Sequence, residues 1–202
     1  MTFLSTILAF FPTLILLLTG STIVYFIYSH NFICIFAIFF FIYGLPLLVY
    51  RLHKKNYRIT EGISYLQDQK YIPWWGSHQI QVIYIAIPVL ESVLRLIPGV
   101  FSMWLRLWGS KIGKNVYWTP GLEIADRGLL EIGNNVVMGH RVGISSHVIK
   151  PRKDNLMLYV KKVKIGNDVF IGGGTLIAPG VVIHDGQFIA VNTTLLPNQK
   201  VK

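Results

Sequence analysis

The sequence predicts a parallel β-helix that follows two membrane-spanning helices and a short helical linker. Two observations carry this prediction. Apolar residues recur at every sixth position through much of the second half of the chain, and the first 50 residues contain no Asp, Glu, Lys or Arg. A period of six fits neither a helix nor a half-buried strand, whose periods are about 3.6 and 2 residues. Such a period is typical of a solenoid built from stacked coils.

The N-terminal segment, residues 1–50, is predicted to be a membrane anchor. Two uncharged apolar runs, Thr2–Tyr28 and Phe32–Tyr50, flank the polar tripeptide SHN. Each run is long enough for a helix to cross a hydrocarbon core of about 30 Å. The first run is too long for a cleaved signal peptide and has no basic n-region, which argues against that alternative.

The orientation of the anchor follows from its basic flank. Four Lys and Arg residues come soon after the second run, whereas the SHN loop contains no Lys or Arg; they are Arg51, Lys54, Lys55 and Arg58. The positive-inside rule places the N-terminus and everything after residue 50 in the cytoplasm. We therefore expect a protein of the bacterial inner (cytoplasmic) membrane. The only cysteine, Cys34, excludes an intramolecular disulfide and a Cys-based zinc site.

Residues 51–110 are predicted to form an amphipathic helical linker. Pro88 and Pro98 divide its apolar part into the pieces PVLESVLRLI and VFSMWLRLWG. Few charges and many Leu, Trp and Phe residues favour helices that lie in the membrane interface. The alternative is that these helices cover the following domain as a hydrophobic plug.

The domain with the six-residue period covers residues 111–202. Two extra residues in ADRGLLE shift the register once, and residues 145–164 interrupt it. Three hexads would make one triangular coil with the apolar residue inside, so we expect about four coils, with Gly, Asn and Asp at the corners. The apolar positions are Ile112, Trp118, Ile124, Ile132, Met138, Ile144, Ile165, Ile171, Ile177, Ile183, Ile189, Leu195 and Val201.

This repeat resembles the left-handed β-helix acyltransferases with hexapeptide repeats, a family that includes maltose, xenobiotic and serine acetyltransferases. The preceding WLRLWGSKIGKNV resembles the start of the domain in colanic-acid-type sugar acetyltransferases. The resemblance implies an all-β left-handed prism and a homotrimer with active sites between neighbouring prisms. It also implies acetyl-CoA (acyl-CoA) as the donor, with no metal.

The interruption of the repeat holds the candidate catalytic residue, His147. In maltose-type acetyltransferases the catalytic histidine precedes a protruding loop that leads into a sequence like VTIGNNVWIGG. Here His147 precedes a loop that leads into VKIGNDVFIGG, although it follows Ile144 at a shorter spacing. Histidine is suited to take the proton of an attacking hydroxyl or amine. His140, one hexad earlier, is either a residue that orients the acceptor or an exposed corner residue.

The resemblance places the donor against the later coils. Gly172–Gly174 would leave room for a pantetheine arm, and Gly173 and Ala190 match family positions whose main chain contacts that arm. Lys200 and Lys202 would meet the phosphates of the cofactor, or else are solvated tail charges.

A zinc site formed by His140, His147 and His184 is disfavoured. In gamma-class carbonic anhydrases, which share this fold, two ligands lie close together after a long gap. Here the close pair comes first, and its spacing of seven differs from that family's.

The interrupting loop, residues 148–164, is basic, with a net charge of +5. It could collect an anionic ligand or press on anionic headgroups. The chain as a whole carries +10, but the anchor and the lack of an aromatic-basic motif argue against nucleic acid. The charged residues of the loop are Lys150, Arg152, Lys153, Asp154, Lys161, Lys162 and Lys164.

These features together predict a membrane-anchored, CoA-dependent acyltransferase. The expected reaction transfers an acetyl group to a hydroxyl or amine of a sugar, glycolipid or lipid-linked acceptor, with His147 as general base. Two alternatives remain: a lipid acyltransferase that uses a long-chain acyl-CoA, and a trimeric scaffold without catalysis.

Overall fold

The computed structural model describes residues 2–68 and 70–202. The chain divides into two compact units, and each is described by itself. The first contains residues 1–59 and 68–83, and the second contains residues 60–67 and 84–202. The predicted linker, residues 51–110, is therefore shared between the two units.

The first unit contains two helical segments that are long and apolar enough to cross a membrane, Phe3–Ser29 and Ile33–Asn56. The second segment runs six residues beyond the predicted apolar run, so Arg51, Lys54 and Lys55 belong to the helix. Leu, Lys and Arg are good helix formers, and the helix continues through them for that reason. The helices of these segments are α1 (Phe3–Ala9), α2 (Phe11–Ser29), α3 (Ile33–Phe39) and α4 (Leu45–Asn56).

Both segments are irregular next to a proline. Pro12 lies in the first turn of α2, just after the break between α1 and α2. Pro46 lies in the first turn of α4, which follows a π-helical turn over Phe40–Gly44. Proline is tolerated in a first turn, where its missing N–H has no intrahelical partner to lose.

The second unit contains a prism whose three faces are parallel β-sheets, as the period of six predicted. Three successive short strands go round the prism, and the strands of successive coils pair in parallel. The three faces contain five, four and four strands, which makes four coils and one further strand. The parallel β-helix is thus confirmed, and its left-handed sense remains a prediction. The strands are β2 (Lys111–Ile112), β3 (Tyr117–Trp118), β4 (Glu123–Ile124), β5 (Leu130–Ile132), β6 (Val137–Met138), β7 (Gly143–Ile144), β10 (Val163–Ile165), β11 (Phe170–Ile171), β12 (Leu176–Ile177), β13 (Val182–Ile183), β14 (Phe188–Ile189), β15 (Thr194–Leu195) and β16 (Lys200–Val201).

The core of the prism is built from two residues per hexad rather than the single one predicted. All the predicted inward positions are buried except Trp118 and Val201, which are half-buried. The residue two places earlier also turns inward in most hexads, because alternate residues of a strand share a face. This second set comprises Leu122, Leu130, Val136, Val142, Val163, Val169, Thr175 and Val181.

One corner of the prism carries a ladder of Asn and Asp side chains. Asn115 Nδ2 donates to Asn135 Oδ1 (3.1 Å), and Asn135 Nδ2 donates to Asp168 Oδ1 (2.9 Å) in the next coil. All three residues have φ between 54° and 56°, the left-handed conformation that Asn and Asp tolerate. The turn residues of this corner therefore also link successive coils.

Three helices contribute to the linker: α5 (Pro73–Ala86), α6 (Val89–Arg95) and α7 (Val100–Leu107). Helix α7 packs on the first coil of the prism. Phe101 meets Trp118 edge-on at 5.2 Å between ring centroids, and Trp118 Nε1 donates to Ser102 Oγ (2.8 Å). Trp104 and Leu105 are buried. Helix α7 therefore acts as the hydrophobic plug, whereas residues of α6 such as Val89 and Val93 remain exposed.

The predicted loop at residues 148–164 is largely a β-hairpin. Strands β8 (His147–Arg152) and β9 (Asn155–Val160) pair antiparallel around a two-residue turn. Strand β9 also pairs with β1 (Gly62–Tyr65), a strand that the sequence did not predict. The hairpin therefore supplies two strands of a three-stranded sheet, with β9 in the centre and β8 at one edge.

Candidate functional site

His147 lies where β7 leaves the prism and the hairpin begins. Its Nδ1 atom is 2.7 Å from Oδ2 of Asp126, and its side chain is 17% exposed. Ser145 Oγ donates to the His147 carbonyl oxygen (2.7 Å), which fixes the backbone at this point. A carboxylate beside Nδ1 favours the tautomer that carries its proton on Nδ1 and its lone pair on Nε2.

Asp126 comes from the same corner of the preceding coil. It opens the turn DRGL, in which the Leu129 N–H donates to the Asp126 carbonyl oxygen (3.2 Å). Its side chain is buried, and Oδ2 also accepts from the Ser146 N–H (2.9 Å). The carboxylate thus accepts a backbone hydrogen bond and also holds the imidazole.

A cavity of about 590 Å³ opens beside His147, within the range of small-molecule sites. Its walls are mostly apolar, with Leu122, Leu176 and Leu196 among them. Acidic and basic side chains at the cavity are Glu91, Arg95, Glu123, Arg127, His147 and Lys150. The cavity can therefore hold a ligand that combines an apolar part with a few polar groups.

A buried ionic cluster forms one part of this wall. Glu91 accepts two hydrogen bonds from Arg127, Nε to Oε1 (2.6 Å) and Nη2 to Oε2 (2.8 Å). Trp104 Nε1 also donates to Glu91 Oε1 (2.9 Å). Glu91 lies in the helix predicted to be interfacial, but its side chain is only 4% exposed because these donors neutralise it.

Arg95 belongs to the same cluster but is less completely satisfied. Its Nη2 donates to the Leu122 carbonyl oxygen (3.0 Å) and lies 4.0 Å from Glu91 Oε2. Its Nε is buried without a hydrogen-bond partner, and its side chain is 6% exposed. Burial lowers the pKa of Arg95, the Glu91 charge opposes this shift, and the Arg127 charge adds to it.

The structure does not bring the predicted donor-binding residues to His147 within one chain. Gly173 lies at the opposite corner of the face formed by β15, β12, β7 and β4, where its carbonyl oxygen accepts from Asn192 N (2.8 Å). Ala190 lies at the same corner as Gly173, and Lys200 lies in β16 on another face. Among the described residues, the cavity lining includes none of these three.

The three histidines considered for zinc lie at three different corners of the prism. His140 follows β6, His147 follows β7 and His184 follows β13. Side chains at separate corners do not converge on one ion within a chain. His140 and His184 are both exposed.

Half of the loop cations face carboxylates or amides of the second unit. Lys164 and Lys162 lie 3.2 Å and 3.3 Å from Glu131, and Lys161 donates to Asn198 (2.9 Å). Burial raises the pKa of Glu131. Hydrogen bonds and charges of Lys164 and Lys162 lower this pKa by more than burial raises it, so the net shift is downward. The cations of the hairpin proper are Lys150, Arg152 and Lys153.

Sequence reasoning missed Asp126, although a signal for it was present. The two extra residues in ADRGLLE mark a bulge in the repeat, and Asp126 lies in it. The same type of signal had identified His147. Glu91 and Arg95 gave no such signal, because an i,i+4 pair on a short helix is usually a solvated pair.

No family model matches the sequence. It is 34% identical over 85 residues to galactoside O-acetyltransferase of Escherichia coli, which is 41% of this chain and 42% of that protein. It is 38% identical over 88 residues to a Saccharomyces cerevisiae protein named for a proposed acetyltransferase activity, 42% of this chain and 45% of that one. Two relatives are thus named as acetyltransferases.

A third relative is delta-poly-L-ornithine synthetase of Acinetobacter baumannii, 27% identical over 123 residues, which are 58% of this chain and 9% of that protein. The chain spans less than half the length of these three relatives. A hexapeptide-repeat acetyltransferase of Vibrio cholerae, solved with acetyl-CoA, aligns with a TM-score of 0.43 at 19% identity and covers 62% of this chain and 81% of that one. The names of the Escherichia coli and Saccharomyces cerevisiae relatives agree with the predicted acyltransferase.

Proposed function

We propose that the protein is a CoA-dependent acyltransferase, most simply an O-acetyltransferase that uses acetyl-CoA. The single observation that carries this proposal is the Asp126–His147 pair beside a ligand-sized cavity in a hexapeptide-repeat prism. The two relatives named as acetyltransferases support it.

His147 is the general base of the proposed reaction. Nε2 takes the proton of the acceptor hydroxyl or amine while its oxygen or nitrogen attacks the thioester carbonyl carbon. The tetrahedral intermediate then collapses, the C–S bond breaks, and the proton passes to the sulfur of CoA. Asp126 keeps the imidazole in one tautomer and stabilises its charged form, so it is a positioning residue.

The acceptor is a sugar, glycolipid or lipid-linked molecule at the membrane. The two long helical segments expose large apolar side chains along their length, including Leu17, Phe36 and Phe40. Water would penalise such continuous exposure, whereas hydrocarbon does not. We place the segments in the bacterial inner membrane, with the prism on the cytoplasmic side.

The active enzyme is a homotrimer in this proposal. His147 and Gly173 lie at opposite corners of one face, separated by roughly 15 Å of extended chain. A donor site that uses His147, Gly173 and Ala190 is therefore completed by a neighbouring prism, where the corner of one chain meets the opposite corner of another. Lys200 would then reach the phosphates of the donor.

The test is to incubate membranes that contain the protein with radiolabelled acetyl-CoA. Label is expected in the organic-soluble fraction, and His147→Ala should abolish it while the protein still folds. His184→Ala, which changes an exposed histidine of the same prism, is the matched control. Label confined to water-soluble products would contradict a membrane acceptor.

Two variations of the assay separate the alternatives. A series of acyl-CoA donors distinguishes acetyl transfer from transfer of a long acyl chain. A scaffold without catalysis would keep its role in cells when His147 is replaced by Ala, whereas an enzyme would lose it.

A further inference from the structure

The cluster of Glu91, Arg95 and Arg127 carries more positive than negative charge. One carboxylate faces two guanidinium groups, and all three side chains are at least nine-tenths buried. Arg127 donates two hydrogen bonds to the Glu91 carboxylate, whereas Arg95 approaches that carboxylate only to 4.0 Å. An uncompensated buried charge is costly, so the cluster is suited to an additional anion.

Arg95 is the residue placed to receive that anion. It lines the cavity, and its Nε is buried without a hydrogen-bond partner. The ring of Phe101 supports the guanidinium at 4.4 Å, which holds the group in place without using any of its donors. A guanidinium held in this way can present adjacent N–H groups to two oxygens of one anion.

The rest of the cavity indicates what carries the anion. Lys150 adds a third cation at the wall beside Arg95 and Arg127, against the two carboxylates Glu91 and Glu123. Most of the remaining wall is apolar, and Leu176 and Leu196 expose half of their surface or more. The cavity therefore combines an apolar surface with a local positive charge, as an amphiphile with an anionic head requires.

The anion belongs to the acceptor rather than to the donor. Arg95 bonds to Leu122 in the first coil, whereas the residues predicted to contact CoA, Gly173 and Ala190, lie in the third and fourth coils. We infer that the acceptor is a phosphate-bearing amphiphile whose phosphate is bound by Arg95 and Lys150 while its reacting group faces His147. This inference rests on the proposed function, whose acceptor it defines more closely.

A binding experiment tests the inference without turnover. The full-length protein is kept in dodecyl maltoside micelles and titrated with dodecyl phosphate, dodecanoate or inorganic phosphate, with phosphorus line broadening and thermal shift as readouts. Dodecyl phosphate is expected to bind at least tenfold more tightly than the other two. Arg95→Gln should weaken this binding tenfold or more, and Arg95→Lys should weaken it less.

Arg106→Gln is the matched control, because Arg106 is an exposed arginine outside the cavity that bonds to Ile112 O (2.9 Å) and Gly113 O (2.7 Å). It should leave dodecyl phosphate binding unchanged. If Arg95→Gln does not fold, Lys150→Gln provides the test, with an expected loss of about threefold. Equal binding by wild type and both cavity variants would overturn the inference. If dodecanoate binds as tightly as dodecyl phosphate, the assignment of a phosphate head group is wrong. If inorganic phosphate binds as tightly as dodecyl phosphate, the assignment of an amphiphile is wrong.

Kinetics separate this inference from the proposed function. Arg95→Gln is expected to raise the KM for the acceptor and to leave the KM for acetyl-CoA unchanged. A rise confined to the KM for acetyl-CoA would assign the guanidinium to the donor and overturn the inference, although acyl transfer would stand. Binding of dodecyl phosphate through Arg95 with no acetyl transfer to any membrane acceptor would instead overturn the proposed function.

Discussion

The carboxylate of Asp126 and the imidazole of His147 come from successive coils of the prism and meet at 2.7 Å at one of its corners. Both residues lie where the hexapeptide repeat is broken, Asp126 in a two-residue bulge and His147 at the start of a hairpin. The regular coils bury their side chains in a shared core. The breaks in the repeat therefore position the groups that can perform chemistry.

Replacing Asp126 with Asn should lower kcat by roughly 10²–10⁴-fold. An amide lacks the negative charge that keeps the proton on Nδ1 and stabilises the imidazolium. Steady-state kinetics with acetyl-CoA and a membrane acceptor measure the effect, and the KM for acetyl-CoA should stay the same. Asp154→Asn, at the exposed turn of the hairpin, is the control. An unchanged kcat would show that the contact does not serve catalysis.

Gly172→Ala should destabilise the prism by about 1–3 kcal/mol. A Cβ atom at this position would lie 2.5 Å from Val191 N and 2.7 Å from the Ala190 carbonyl carbon, and backbone cannot move aside as a side chain can. Gly186→Ala is the comparison, because its Cβ would meet nothing within 4 Å and its cost comes only from a φ of 70°. Thermal unfolding in micelles measures both. A smaller loss for Gly172→Ala than for Gly186→Ala would be inconsistent with this packing.

Glu131→Gln should lower Tm by about 2–4 °C at neutral pH. This shift corresponds to a loss of up to about 1 kcal/mol of folding free energy from the lysine contacts of Glu131. The pKa of Glu131 in the folded protein lies below its ordinary value of 4.5. Its stabilisation is therefore fully present above pH 4.5 and is lost as the pH falls through the lower folded pKa. The difference in Tm between wild type and variant should disappear in acid. A difference that grows as the pH falls would contradict the assigned shift.

Glu91→Leu should destabilise the second unit by about 3–5 kcal/mol, because it leaves the buried charge of Arg127 without its bidentate partner. Arg127→Leu should cost less, because Arg95 still lies 4.0 Å from Glu91. The double variant should lose less folding free energy than the two single variants together, because neither partner of the bidentate pair is left unpaired. Chemical unfolding of the four proteins gives the coupling energy. Glu123→Gln, an exposed carboxylate of the same cavity, is the control. Additive losses would show that the pair contributes no coupling.

Cysteine labelling tests the orientation of the anchor. Cys34→Ser removes the only cysteine, after which one new cysteine is introduced at Asn31 or at Lys202. A membrane-impermeant maleimide should label the Asn31 variant from the outer face of the membrane. The Lys202 variant should react only after permeabilisation. The reverse pattern would place the prism outside the cytoplasm.

The repeat could be predicted from the sequence because its period is imposed by the geometry of the coil. Every hexad must place Ile, Leu, Val or a similar residue inside, so the pattern is visible without any partner residue. The apolar runs of the anchor are visible for the same reason. The second inward row, at Val136, Val142 and Val169, escaped notice because valine at these places also fits an exposed strand.

The contacts of the site could not be predicted, because they depend on where separate segments meet. Asp126 and His147 are 21 residues apart, and Glu91 and Arg127 are 36 residues apart. Helix α6 carries both an exposed apolar side and a buried ion pair, and composition alone does not distinguish the two sides. Strand β1 was missed because four residues without strong alternation become a strand only when β9 is beside them.

Helix α7 gives the first coil a neighbour that no coil provides. In a stack stabilised by nearest-neighbour contacts, an interior coil is held on both sides and a terminal coil on only one. Phe101 and Ser102 of this helix contact Trp118 in the terminal coil. That same coil leads into the turn that carries Asp126. Helix α7, which lies outside the repeat, is therefore connected through the chain's first turn around the prism to the carboxylate that aligns the imidazole.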